Sequence, residues 1–266
     1  MYDVYIKRRP KEEAKVANQY TFKRKEMKYL LSKEQYLGFM ERIKDMAKVD
    51  AYGETSILNI YFDTPDFRLI RTSLEKPVYK EKLRLRSYGV PTDETNSFIE
   101  IKKKYKGIVY KRRISAPYKS SKDYLYEDKP LEKQSQISSE IDYFKKCYPG
   151  LRPAMAISYD RIAMAGIEDP ELRITFDKNI RWRTNQLDLK YGNTGREILE
   201  KDQYLMELKI AGAMDLKLVE ILEDLNIRQV SFSKYGRGYE TLLAERLELV
   251  GQRELMPTAE KGYAFA

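Results

Sequence analysis

Lys82-Leu83-Arg84-Leu85-Arg86-Ser87-Tyr88 is the stretch on which the fold turns. In an extended strand successive side chains alternate faces, so Lys82, Arg84, Arg86 and Tyr88 share one face while Leu83 and Leu85 share the other. Cations spaced two residues apart repel one another unless water or an anion lies against them. A single strand of this kind describes the wet side of any antiparallel sheet; here the pattern recurs along the chain. Arg24, Glu26 and Lys28 share a face of the strand-like segment 22–31, as do Glu100, Lys102 and Lys104 in 98–104. Lys111 and Arg113 do so in 109–115, Tyr159 and Arg161 in 156–163, Arg173, Thr175 and Asp177 in 171–177, and Glu207 and Lys209 in 204–210. Spread over a flat exposed sheet these charges accomplish little. Rolled into a closed antiparallel β-barrel of about eight strands, they surround a lumen wide enough for a small ligand. The expected class is therefore α+β: a closed barrel forming a charged tunnel, with helices covering its aliphatic outside. Cations withdrawn from water need a paired charge, and a chain of phosphates supplies one.

The remaining segments fit that plan. Ser32 with Gln35 three residues on makes a capping box, predicting a helix to about Val49 whose apolar face is Tyr36, Leu37, Met40, Ile43 and Ala47. A strand over 56–63 ends at Thr64-Pro65, 67–72 reads as a short turn or edge, and Gly107 marks a hairpin. Helical patterns cover 120–129, 138–148, 215–225 and 237–249, and Phe232 to Tyr235 reads as a short strand or turn. Residues 1–20 are a polar lead-in, 21–250 a single domain and 251–266 a tail.

Composition bounds the chemistry. With 266 residues, 42% of them hydrophobic, the chain can build a core. A net charge of +9 favours nucleic acid, an anionic membrane surface or a phosphorylated small molecule. There is no histidine, which removes the usual general base near neutral pH, most transition-metal sites and every Ser-His or Cys-His nucleophile. The single cysteine, Cys147, permits no internal disulfide; Arg152 follows it one residue too soon for a phosphatase loop. Gly236-Arg237-Gly238 is too short for a nucleotide-binding glycine loop. No apolar run approaches the roughly 18 residues that span a bilayer, and the first residues lack a signal segment, so the expectation is a cytoplasmic protein.

The segment around Lys28, Leu83-Arg84-Leu85-Arg86, Glu100-Ile101-Lys102, Tyr110-Lys111, Ser158-Tyr159-Asp160-Arg161, Leu172-Arg173-Ile174, Met206-Glu207-Leu208-Lys209 and Phe232-Ser233-Lys234-Tyr235 resemble, in order and spacing, the catalytic domain of the vacuolar transporter chaperone (VTC) polyphosphate polymerases. These belong to the triphosphate tunnel metalloenzyme, or CYTH-like, superfamily. Other branches begin with Glu-x-Glu-x-Lys, where this chain has Arg24-Lys25-Glu26-Met27-Lys28, a departure toward the polymerase branch. The resemblance implies that Arg84, Arg86, Arg161, Arg173 and Glu207 are catalytic. It implies that Lys28, Lys102, Lys111, Tyr159, Lys209, Ser233 and Lys234 bind substrate, and that Glu207 holds Mn²⁺ or Mg²⁺. The implied partners are ATP and polyphosphate, not nucleic acid. The family's appended sensor domain and membrane segments find no match in this sequence, which leaves regulation and export open, and the resemblance is compatible with a separate membrane-protein partner.

The resulting expectation is transfer of the ATP γ-phosphoryl group onto a growing polyphosphate chain, releasing ADP. A terminal phosphate is already an oxyanion, so such a transfer needs alignment and charge stabilisation rather than a strong base. Two alternatives compete. A triphosphatase of the same fold needs an activated water, with Glu26 or Glu100 as the candidate base. A non-catalytic binder of polyphosphate or RNA is compatible with the charge and the 22 tyrosines. From spacing alone, Glu207 with Lys209 reads as a cross-strand ion pair.

Overall fold

A computed structural model describes residues 24–255; the lead-in and the tail beyond 255 lie outside the described residues. Its strands are β1 (Arg24–Leu31), β2 (Ala47–Asp63), β3 (Tyr79–Tyr88), β4 (Asn96–Tyr105), β5 (Ile108–Pro117), β6 (Arg152–Gly166), β7 (Arg173–Arg183), β8 (Arg196–Glu197) and β9 (Tyr204–Ala211). Helices are α1 (Lys33–Arg42), α2 (Arg68–Leu74), α3 (Tyr118–Tyr126), α4 (Gln136–Cys147), α5 (Leu216–Asp224) and α6 (Lys234–Leu255). The strands form one antiparallel sheet in the order β1-β9-β7-β6-β2-β3-β4-β5, with the short β8 beside β7.

The alternation in Lys82–Tyr88 does what it predicts. Leu83 and Leu85 on β3 and Ile99 and Ile101 on β4 are fully buried on the outer face beneath Tyr118 of α3 and Ile141 and Phe144 of α4. Each such side chain contributes roughly 1.5–3 kcal/mol. On the other flank, α1 and α5 cover the outer faces of β1, β7 and β9 through Phe39, Leu218 and Ile221. The turn at Lys106-Gly107 has both residues at positive φ, 46° and 84°, the two-residue geometry that matches strand twist.

The sheet curls but does not close, which corrects the expected barrel. Lys102 on β4 lies 4.0 Å from Glu26 on β1, although a flat sheet would set strands this far apart in the order roughly 29 Å from each other. Yet among the described residues no ladder joins β1 to β5. The free edge of β1 is taken instead by the segment entering α6: Tyr29 bridges Gln229, and Val230 N donates to Lys28 O at 2.7 Å. β5 remains an edge strand, studded with Lys111, Arg112 and Arg113, charges that discourage edge-to-edge pairing.

One end of the concave face is apolar. Tyr235 and Leu242 of α6 and Ile70 of α2 pack there against Ile57, Tyr61, Ile157, Tyr159 and Leu205. Gly238 permits this approach, since a Cβ on it would sit 2.6 Å from Met155 Sδ; the Gly-Arg-Gly spacing therefore serves packing. Asp63, at the end of β2, accepts from the Leu69 and Ile70 amides and from Tyr235 OH, tying α2 and α6 to the sheet.

Other expectations shift in detail. The Ser32–Gln35 box is present, but α1 ends at Arg42 and Ala47 already pairs with Gly166 in β2. Leu37 is exposed and Phe39 fills its place in the core, because 36, 39, 40 and 43 form the helical stripe. The segment expected as a turn at 67–72 is largely α2, β7 continues six residues past Asp177, and α6 starts at Lys234 and runs on to Leu255. Among the described residues no helix is long and apolar enough to cross a membrane.

Candidate functional site

Two buried carboxylates organise the charged part of the concave face. The first is Glu100 on β4, 2% exposed, directly opposite Arg84 on β3. Arg84 Nε and Nη2 lie 2.7 and 2.6 Å from its Oε2, Arg86 Nε lies 3.7 Å from the same oxygen, and Lys111 Nζ from β5 lies 2.6 Å from Oε1. The guanidiniums are held from behind as well. Arg84 Nη1 donates to Tyr61 OH at 3.0 Å, while Arg86 donates to Asn59 Oδ1 at 2.8 Å and Tyr159 OH at 3.0 Å. Burial pushes the Glu100 carboxyl up, but Arg84, Arg86 and Lys111 outweigh it and hold the group down to about 2.

The second is Asp177 on β7, with no exposed surface. Arg161 on β6 grips it bidentately, Nε to Oδ1 at 2.6 Å and Nη2 to Oδ2 at 2.7 Å, the strong fork geometry of arginine on a carboxylate. Lys234, the first residue of α6, sets its Nζ 2.5 Å from Oδ2 and 3.5 Å from Glu207 Oε1 on β9. Burial raises the Asp177 and Glu207 carboxyls, yet Lys234, with Arg161 at Asp177 and Lys28 at Glu207, holds both ionised, Glu207 well below the usual carboxylate range.

Lys28 on β1 joins the two halves. Its Nζ donates to Phe232 O at 2.9 Å and stands 3.5 Å from Glu207 Oε1 and 3.8 Å from Glu26 Oε1, while Glu26 reaches Lys102 of β4. Side chains from β1, β3, β4, β5, β6, β7, β9 and α6 thus converge on one space, in which cations outnumber carboxylates.

The family model for the VTC domain matches residues 23–243. The chain belongs to the VTC domain family. The vacuolar transporter chaperone complex subunit 4 of Schizosaccharomyces pombe is 24% identical over 250 residues, a match covering 78% of this chain and 34% of the relative. The chain therefore spans about a third of that protein's length. Among solved structures, a Hippeastrum protein described as an adenylyl cyclase with a dominant triphosphatase activity gives a TM-score of 0.50 at 14% identity, over 81% of this chain and 95% of that one. That likeness shows a shared fold. An adenylate cyclase candidate from Bacillus halodurans gives 0.49 at 19% identity, over 78% and 92% of the two chains.

Of the residues singled out in the sequence, this VTC domain brings together Lys28, Arg84, Arg86, Lys102, Lys111, Tyr159, Arg161, Glu207 and Lys234. Ser233 borders them, its hydroxyl accepting from Lys82 Nζ at 3.2 Å and from the Gly236 amide at the start of α6. Lys209 lies on the same face opposite Glu26 and Arg173. Arg173 does not join the cluster: it is exposed at the start of β7, and its guanidinium donates to Pro170 O and Leu172 O of its own loop.

Sequence reasoning passed over Asp177, Asn59, Tyr61 and Lys82 as site residues. Asp177 was legible as the third member of the Arg173-Thr175-Asp177 face; Asn59 and Tyr61 sit in the strand expected over 56–63, which carries no cation to mark a lumen face. Thr175, opposite Glu207, has a buried hydroxyl without a partner among the described residues. Thr175→Val should keep the shape and raise the melting temperature of the ligand-free protein, by about 1 kcal/mol of stability, while weakening tripolyphosphate binding.

Lys82 has no carboxylate partner among the described residues. Burial, with Lys80, Lys102 and Lys28 nearby, pushes its ammonium down from 10.5 to about 8 despite a favourable contribution from Tyr61. Between about pH 8 and 10.5 the unfolded chain keeps a proton that the folded one has lost, so this group makes stability rise with pH across that window. Anion binding should move the other way. Tripolyphosphate affinity measured from pH 7 to 9.5 is expected to fall more steeply in the wild type than in Lys82→Arg, whose charge does not titrate.

Proposed function

We propose that this chain is a polyphosphate polymerase: it transfers the γ-phosphoryl group of ATP onto the end of a polyphosphate chain in the basic lumen and releases ADP. The observation that carries the reading is the state of the lumen carboxylates. Glu100, Asp177 and Glu207 are each locked as anions by lysines and arginines. A carboxyl held at about 2, as Glu100 is, is a poor base for activating water at neutral pH, and the chain has no histidine. A phosphate nucleophile carries its own negative oxygen and needs no base. That oxygen attacks the γ-phosphorus, a new P–O bond forms, the bond to the β,γ-bridging oxygen breaks, and its electron pair leaves with ADP.

The side chains divide this work. Arg84, Arg86 and Arg161, oriented by their own carboxylates and by Tyr61, Asn59 and Tyr159, present guanidinium edges to the transferring group, where charge develops in transfer. Lys28, Lys102, Lys111 and Lys234 bind flanking phosphates, Ser233 borders that set, and Lys209 and Arg173 stand toward its rim. A divalent ion, Mn²⁺ or Mg²⁺, fits a limited donor set. Among the described residues no cluster of three carboxylates exists, but Glu207 and Glu26 already hold a positive charge between them in Lys28. Such ions need one or two carboxylates when phosphates and water complete the shell. Bound there, the ion would neutralise charge on the nucleotide phosphates. The likeness to a subunit of a vacuolar complex supports a separate membrane-protein partner.

The test is product analysis. Purified protein with γ-labelled ATP and Mn²⁺ should place label in a long anionic polymer that an exopolyphosphatase degrades. Label recovered only as orthophosphate would assign a triphosphatase instead, and no turnover at all would leave a binding module.

A further inference from the structure

Between Ile101 and Lys122 the chain carries nine lysines and arginines and no aspartate or glutamate, and most of that stretch is the β4–β5 hairpin. Part of the charge is compensated from elsewhere. Lys102 pairs with Glu26 and Lys111 with Glu100 in the lumen, while Lys103 and Arg112 on the outer face share Glu140 of α4 at 4.0 and 3.2 Å. Toward the turn, Lys104 and Lys106 are exposed, and Lys106 Nζ lies 5.5 Å from the ring centroid of Tyr105.

The same turn gathers apolar side chains. On the outer face, cover from α4 and the residue after it reaches the row holding Glu81 and Lys103, where Tyr148 OH donates to Glu81 at 2.7 Å and Glu140 meets Lys103. One row further on, Tyr79, Tyr105 and Ile108 stand directly opposite one another across β3, β4 and β5, and alternation puts them on the same outer face as Leu83 and Ile101. With Val78, Val109 and Tyr110 around them, they are 43–63% exposed. A cluster of this kind on a water-facing surface marks a contact with something apolar.

Charge decides what that something is. An anionic lipid surface offers negative headgroups to Lys104 and Lys106 and an apolar layer just beneath, for Ile108 and Val109. Tyrosine favours that boundary, its ring below the headgroups and its hydroxyl among them. The backbone permits the contact as well: Tyr105 and Ile108 pair across the turn, and Lys106 N donates to Val78 O at 3.0 Å, so the tip keeps these bonds where water thins. We propose that the tip of the β4–β5 hairpin, with Val78 and Tyr79 beside it, docks this domain peripherally on an anionic lipid surface. The contact lies outside the lumen and does not depend on the polymerase reading.

The experiment pellets the full chain with vesicles of phosphatidylcholine alone and of equal parts phosphatidylcholine and phosphatidylserine. Binding is expected to the anionic vesicles and not to the neutral ones, and it should weaken with added salt. Ile108→Ser/Val109→Ser, which keeps every charge, should weaken it about tenfold or more, and Lys106→Glu at least about fivefold, each at the wild-type melting temperature. The emission of Ile108→Trp should move to shorter wavelength on anionic vesicles. Saturating tripolyphosphate, bound in the lumen, should leave the protein on the vesicles. Failure to bind anionic vesicles would overturn the proposal and leave the exposed row to an acidic protein partner. Undiminished binding by the serine variant would overturn it in favour of charge alone, and release by tripolyphosphate would overturn it by placing the headgroups in the lumen.

Discussion

Asp177→Ala is expected to cost about 3–5 kcal/mol of stability, because removing one partner from a buried ion pair leaves the others uncompensated. Here the stranded groups are Arg161, which grips Asp177 with both nitrogens, and Lys234, 2.5 Å away and 9% exposed. Glu207 offers partial relief at 3.5 Å from Lys234 and 3.8 Å from Arg161. For a domain of this size the melting temperature should fall by roughly 10 °C. The defect is one of charge rather than volume, so an added anion should repair it: millimolar tripolyphosphate is expected to raise the melting temperature of Asp177→Ala more than that of the wild type. A cavity defect of similar size, such as Leu83→Ala on the outer face, should show no such differential rescue.

Arg84→Ala carries the largest expected effect on turnover, a loss of 10²- to 10³-fold in kcat, the scale for removing a charge-stabilising donor at a transferring group. Its fork bonds Glu100 and Tyr61 at once, which fixes where the remaining guanidinium edge points. Glu100 keeps Lys111 at 2.6 Å and Arg86 at 3.7 Å, so the fold should survive. Arg84→Lys restores the charge but not the fork and should recover activity only in part. Glu207→Gln should suppress turnover as well, with a shift in the Mn²⁺ concentration needed for half-maximal rate. Arg173→Ala, at the rim and bonded to its own loop, should cost far less than Arg84→Ala; steady-state kinetics on the panel checks the ranking.

The sequence carried the alternation on each strand because the period of two is a local property: Leu83 and Leu85 inward to the helices, Arg84 and Arg86 to the lumen. It also carried the Ser32–Gln35 cap and the Gly107 turn, where the backbone geometry needs particular residues. What it could not carry was set at long range. Closure of the barrel was decided by Val230 taking the edge of β1, a pairing between segments some 200 residues apart that leaves no periodic trace. Asp177 was visible as a polar residue on a charged face, but its role as the counterion of Arg161 and Lys234 depends on α6 docking its first turn beside β7. Arg173 shows the converse: its strand face was right, and its position at the strand's end directed it to nearby carbonyls.

Charged side chains from eight separate elements, cations in the majority, converge in this account to hold one triphosphate. A crystal structure with a non-hydrolysable ATP analogue and Mn²⁺ tests it most directly. The terminal phosphate is expected within hydrogen-bond distance of Arg84, Arg161 and Lys28, with the metal against Glu207. A nucleotide bound with its phosphates away from those three residues, in crystals where the lumen is open to solvent, would contradict it.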